Sequence, residues 1–239
     1  MIERHLMKLR ARDSVSPQEE EALRSVARDV RTVDADVKLV RAGDELTVST
    51  LLLDGMACRQ KDVRSGERQI TELHVAGDFV DLHSFTLKRL DHDIVSLTPC
   101  QVVAVPHAGL RRITQEFPHL TRLLWFSTNL DASIHREWML SLGRRSALAR
   151  TAHLFCELYV RLGIVGLAQG LRYDLRLTQI DLAECLGLTS VHVNRMLREL
   201  RERRLVEFRQ STVTILDWDA LQRVAEFDPA YLYLEHRPQ

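Results

Sequence analysis

The 239-residue chain carries 33 Lys+Arg against 33 Asp+Glu, is 45% hydrophobic and holds 10 Gly and 6 Pro. That composition is too apolar for disorder and too poor in Gly and Pro for collagen or a low-complexity linker. No run approaches the ~20 uncharged apolar residues of a membrane span, and the opening MIERHLMKLRARDS lacks the apolar core of a secretory signal, so a cytoplasmic chain with no membrane contact is expected.

Ser16-Pro17-Gln18-Glu19 predicts a helix start, with Ser as N-cap, Pro at the first helical position and acids in the first turn. The helix is expected to run to about Arg28. From Lys38 to Val105 the texture changes to short β-type runs: Lys38–Val40, Leu46–Leu53, Met56–Val63, Gln69–Val75, Ile94–Leu97 and Gln101–Val105. Gly-containing turns separate them, and Asp54-Gly55 between two apolar runs predicts a hairpin. Even strand spacing with tight turns points to a small barrel or roll.

After Pro106 the strand pattern stops. From Pro118 to about Leu142, Leu120, Leu123, Leu124, Phe126, Leu130, Ile134, Trp138 and Met139 recur at three- and four-residue steps, which predicts a long helix. The apolar set is wider than one stripe, as in a helix that packs on its own domain with one side and on a second copy with the other; a long core helix in a monomer is the alternative. Gly143 is expected to break it and act as a hinge before a second helix, Arg145 to Arg161.

The zero net charge hides a segregation. Residues 143–209 hold 12 Arg against seven acids, for +5, while the flanking segments are acidic. A local basic block suits a polyanion, but a salt-bridged helical face gives the same count.

The segment from Thr178 to Leu197 is more specific. Thr178 is placed to cap a first helix with Asp181 as its capping-box partner, Leu182, Leu186 and Leu188 face inward, Ala183 is small where a second helix would cross, and Gly187 stands where the chain must turn with positive φ. Thr189 caps the next helix, whose buried side is Val193, Met196, Leu197 and Leu200. Ala, Gly four later and Val six later is helix-turn-helix spacing. The remaining face, Ser190, His192, Asn194, Arg195 and Arg198, is the one that such a helix turns toward a major groove. Leu205–Arg209 and Val213–Leu216 predict a following β-hairpin, hence a winged helix-turn-helix.

On these residues, together with the turns Ala42-Gly43-Asp44 and Ala76-Gly77-Asp78-Phe79 and the closing Phe227-Asp228-Pro229-Ala230-Tyr231-Leu232, the chain resembles the Crp/Fnr superfamily of bacterial transcription regulators over essentially its whole length. The resemblance implies an α+β protein: a cyclic-nucleotide-binding-like β-roll over 1–117, a dimerisation helix over 118–142 and a winged helix-turn-helix DNA-binding domain over 143–239. It implies a homodimer on a palindromic duplex, with half-sites ~34 Å apart, and RNA polymerase as a further partner. Carried over by position, Ser190, Val191 and Arg195 touch base edges. Arg195 matches the family's Arg and suits guanine O6 and N7; Val191 stands where most characterised members have Glu and suits a thymine methyl. Thr178, Thr189 and His192 are expected at phosphates. An Arg195–Glu199 salt bridge is the competing use of Arg195, and Arg201, Arg203 and Arg204 are expected to form a solvated or backbone-facing cluster that does not read bases.

The departures bear on the effector. Members that bind cyclic AMP hold its phosphate with a Gly-Glu pair and an Arg-Ser/Thr pair. Here those places read Val80-Asp81 and Asp91-His92-Asp93, where the carboxylates would repel a phosphate and Val80 fills the close-approach position. The first Cys is Cys58, so the N-terminal cluster of the iron–sulfur members is lacking; the four Cys have no zinc-knuckle spacing, and Cys100 and Cys156 are expected as core thiols. His74, His83 and His92 raise a haem or metal alternative, but without short fixed spacing they are expected to be surface or hydrogen-bonded core residues. No cofactor and no metal are therefore expected. A P-loop, G-x-S-x-G and H-E-x-x-H are missing, so no enzyme is expected. A cyclic-nucleotide or haem/redox sensing regulator and a repressor that needs no ligand remain as alternatives.

Overall fold

The computed structural model describes residues 1–236; the last residues of the expected DNA-binding domain lie outside that range. In chain order the elements are α1 (Glu3–Arg10), α2 (Pro17–Val26), β1 (Val30–Val33), β2 (Lys38–Val40), β3 (Val48–Asp54), β4 (Met56–Asp62), β5 (Arg68–Val75), the single turn α3 (Ser84–Leu87), β6 (Asp93–Ser96), β7 (Cys100–Pro106), α4 (His107–Glu116) and α5 (Pro118–Arg144). There follow α6 (Ala147–Ile164), β8 (Ala168–Gln169), β9 (Arg172–Asp174), α7 (Gln179–Leu186), α8 (Ser190–Glu202), β10 (Val206–Arg209), β11 (Thr212–Ile215), α9 (Trp218–Ala225) and a 3-10 turn, Pro229–Leu232.

Local signals act as expected at α2, where Ser16 and Glu19 form a reciprocal capping box. The helix ends at Val26 rather than Arg28, because Ala27 has left helical geometry (φ −107, ψ 77). The roll consists of two antiparallel sheets, ordered β1-β7-β3 and β2-β6-β4-β5. Asp54-Gly55 is therefore not a hairpin: β3 pairs with β7, and β4 pairs with β5 and β6. The turn instead carries the chain from one sheet to the other. Gly55 is required there, since φ is +89 and a Cβ would meet the Pro99 carbonyl oxygen at 2.5 Å.

Helix α5 also differs from expectation. It continues through Gly143 to Arg144, and the break falls at Arg145 (ψ 146), after which Ser146 caps α6. A Cβ added at Gly143 would meet nothing outside its own helix within 4 Å, and its φ is not in the left-handed region, so the position accepts ordinary helical backbone. Leu120, Leu123, Leu124, Leu130, Ile134 and Trp138 are buried on the chain's own core, whereas Trp125 (67% exposed) and Met139 (73%) face outward. The exposed positions Trp125, Asn129, Ala132, Arg136, Met139 and Gly143 alternate by four and three residues, the spacing of a coiled-coil seam.

A continuous apolar cluster runs from Met56, Cys58 and Leu73 of the roll through Ile134 and Trp138 into Phe155, Leu182, Val193 and Leu221. The two halves thus pack as one body. All four cysteines are free and buried, and burial pushes the Cys58 thiol up to about 12.

Candidate nucleic-acid interface

The C-terminal half builds its exposed helix from local chemistry. Thr178 and Asp181 form the capping box of α7: the Thr178 hydroxyl donates to the Asp181 carboxylate at 2.7 Å and accepts from the Asp181 N–H at 3.1 Å. Gly187 closes α7 in the left-handed region (φ 56, ψ 43) and its N–H bonds the Ala183 carbonyl. Thr189 then caps α8, accepting from the His192 N–H at 3.3 Å. Ala183, Val193, Met196 and Leu200 are buried between the helices, while Leu188 and Leu197, expected inside, are only half-buried at the edge.

This packing leaves a polar stripe. Val191 is 77% exposed, and Asn194, Arg195 and Arg198 follow it on the same side of α8, all exposed. Among the described residues no carboxylate pairs with Arg195: Glu199, its expected competitor, pairs instead with Arg203. The guanidinium is thus available to a ligand outside the chain. Ser190 is half-buried and His192 is exposed at the first turn of α8.

Two expected contacts are partly committed elsewhere. The Asn194 amide donates to the Gln179 side-chain oxygen at 2.7 Å, tying α8 to the first turn of α7. The Thr178 hydroxyl is held by Asp181. Sequence reasoning does not single out Gln179, whose role depends on how the helices cross. Arg201, Arg203 and Arg204 are exposed. The wing is the β10–β11 hairpin, closed by Gln210 and Ser211, both with positive φ, the two-residue turn whose twist suits a hairpin. Arg209 is exposed beside it.

In the roll, the residues that the resemblance places at a nucleotide phosphate, Val80 and Asp81, lie inside the molecule, fully buried. Asp81 accepts from the Thr50 N–H, and burial pushes its carboxyl up to about 7. Arg59 enters from β4, donates to the Val80 carbonyl at 2.9 Å and pairs with Glu72 at 2.6 Å and Asp131 at 2.9 Å. Of the three acids expected to repel a phosphate, only Asp81 is buried: Asp91 is exposed and pairs with Lys61, and Asp93 pairs with Lys38. The His83 and His92 rings do approach, with centroids 5.4 Å apart, but among the described residues no three His, Cys, Asp or Glu side chains are arranged to hold a metal. No helix among them is long and apolar enough to cross a membrane.

Comparison with known proteins adds what geometry cannot. Residues 149–224 match the Crp-like helix-turn-helix domain, and residues 30–117 match the cyclic nucleotide-binding domain. The chain is 29% identical over 197 residues to a "probable transcriptional activator" of Rhizobium leguminosarum bv. viciae, covering 81% of this chain and 80% of the relative. It is 26% identical to the transcriptional activator protein FnrL of Cereibacter sphaeroides, covering 72% and 69%. Among solved structures, FixK2 from Bradyrhizobium japonicum superposes with a TM-score of 0.75 at 21% identity, covering 82% of this chain and 96% of that one; at that identity the likeness speaks for the fold.

Proposed function

The chain belongs to the Crp/Fnr superfamily and is a DNA-binding transcription regulator of that type, and from that premise we propose that it binds a palindromic duplex as a homodimer. The observation that carries the reading is Arg195, exposed on a helix capped by Thr189, with no carboxylate partner among the described residues. Arg195 supplies bidentate donors for a guanine, Val191 an apolar contact for a thymine methyl, and Ser190 a hydroxyl at the base edges. Thr178, Thr189 and His192 sit at phosphates, Asn194 holds the two helices in register while facing the groove, and Arg198 extends the basic stripe. The dimer forms through residues 118–142 of α5, whose outward Trp125 and Met139 would otherwise stay in water.

On this reading residues 1–117 form an effector-type domain and 143–239 the DNA-binding domain, RNA polymerase is a further partner in the cytoplasm, and the chain catalyses no reaction. On this reading cyclic AMP is not its effector; the support is that Val80 and Asp81, which stand by resemblance where members that bind it have a Gly-Glu pair, are both buried. Selection of duplexes from a random pool by the purified protein tests the central claim. The expected outcome is an inverted repeat with half-sites centred about one helical turn apart, ~34 Å; enrichment of a single asymmetric site, or of nothing, overturns it.

A further inference from the structure

Asn194 is a poor residue for its place. It stands in the middle of α8 and is exposed. Asparagine disfavours a helix interior, because its short amide competes for the backbone hydrogen bonds, and here it buries no apolar surface in return. Its side chain reaches instead to the first residue of α7, where Asn194 Nδ2 donates to Gln179 Oε1 at 2.7 Å. Gln179 is exposed as well, so this bond replaces bonds to water and adds little to stability. Its effect is to fix the direction of an amide that would otherwise rotate freely.

The amide inventory shows what is left over. A primary amide has one carbonyl acceptor and two N–H donors. With one N–H given to Gln179, Asn194 keeps its carbonyl and its second N–H, an acceptor beside a donor. Adenine presents the complement in the major groove, the N6 amino group beside the N7 acceptor. Guanine and thymine would set an acceptor against the Asn194 oxygen, and cytosine would use that oxygen alone. Asn194 lies on the groove-facing stripe, between Val191 three residues before it and Arg198 four after it, all exposed.

Gln179 has unused donors too. Its Oε1 is engaged, which leaves both Nε2 hydrogens. It opens α7, and in a first turn the backbone N–H groups of Gln179 and Ile180 have no intrahelical acceptor. The acid of that turn, Asp181, is turned back on the Thr178 N–H and hydroxyl at 2.8 and 2.7 Å, with Arg68 at 3.6 Å. The exposed start of α7 therefore offers donors suited to a phosphate oxygen.

On the DNA-binding reading above, on which this inference rests, we propose that Asn194 reads one adenine in each half-site and that Gln179 is its positioning residue. Gln179 donates from Nε2 to a backbone phosphate while its Oε1 holds the Asn194 amide in the orientation that adenine needs. One side chain thus joins a contact to the strand with a contact to a base. A duplex whose phosphate is out of place draws Gln179 away and forfeits the adenine contact with it.

The test uses the full chain and the duplex that it selects, with each adenine replaced in turn by 7-deazaadenine, which keeps the amino group and the base pair but lacks N7. Fluorescence anisotropy at fixed salt is expected to show one position per half-site where the replacement weakens binding of the wild type at least about fivefold and leaves binding of Asn194→Ala unchanged. Asn194→Asp, which carries acceptors alone, is expected to move that position toward cytosine. Gln179→Ala is expected to bind every duplex more weakly and to lose most of the sensitivity to 7-deazaadenine. Gln179→Glu, which keeps an acceptor for Asn194 but repels phosphate, is expected to regain that sensitivity while still binding every duplex weakly, a split that a merely structural role would not produce. A wild type that selects no duplex defeats the DNA-binding reading and this proposal together. A wild type that selects an inverted repeat but tolerates 7-deazaadenine at every position overturns the proposal alone, without recourse to any variant, as does full sensitivity retained in Gln179→Ala.

Discussion

Arg68, at the start of β5, donates from Nε to the Glu184 carboxylate of α7 at 2.6 Å. Beside it the Gln69 amide donates to the Glu184 carbonyl at 2.6 Å, and Arg68 Nη2 lies 3.6 Å from Asp181, the residue that completes the α7 capping box. The β4–β5 hairpin of the roll thus grips the first helix of the helix-turn-helix by its side chains and its backbone at once. A partly exposed, charge-assisted contact of this kind contributes on the order of 1 kcal/mol. Arg68→Ala is expected to lower global stability by about that amount in urea denaturation and to leave the selected DNA consensus unchanged, because the stripe from Val191 to Arg198 is untouched. A changed consensus would show that the grip sets base readout.

Arg195→Ala is expected to cost roughly 1–3 kcal/mol on the selected duplex and to relax preference at one base pair. The control is a scrambled duplex: equal losses on both, measured by fluorescence anisotropy at fixed salt, would make Arg195 a purely electrostatic contact.

Val191→Glu restores a hydrogen-bond acceptor where the chain carries an apolar side chain that is 77% exposed. Duplex selection with the variant is expected to move one position of each half-site toward cytosine, whose amino group donates to a carboxylate. An identical consensus would remove Val191 from the base-reading set.

Trp125 and Met139 lie on the outward seam of α5. Burying a large apolar side chain contributes roughly 1.5–3 kcal/mol, so Trp125→Glu combined with Met139→Glu is expected to weaken self-association by ~100-fold or more and to abolish cooperative binding to the palindrome. Analytical ultracentrifugation reads the first effect. A variant that sediments as the wild type would place the interface elsewhere.

Glu72, fully buried on β5, faces Arg59, Asp131, His135 and His74, with Arg161 and Glu157 beyond. Burial pushes its carboxyl up to about 8, against ~4.3 in an unfolded chain. Below the unfolded value both states are protonated and its contribution to stability is whole; as pH rises toward 8 the native state holds a proton that the unfolded state has released, and that contribution is lost. The stability advantage of Glu72→Gln over the wild type is therefore expected to grow between about pH 5 and pH 8. A pH-independent difference in urea denaturation would mean that Glu72 titrates as an ordinary carboxyl.

What the amino-acid order determined by itself was local. The caps at Ser16, Thr178 and Thr189 and the left-handed turn at Gly187 depend on residues within four positions of one another, so they were legible before any fold was known, and with them the exposed helix α8. The tertiary structure decided everything that joins distant segments: that Asp54-Gly55 changes sheets instead of forming a hairpin, that Asn194 is shared with Gln179, and that Arg59, Glu72 and Asp131 meet inside the molecule. A carboxylate in a sequence carries no record of the cation it will face, because that pairing arises only when strands and helices far apart in the chain are packed together and water is expelled from between them.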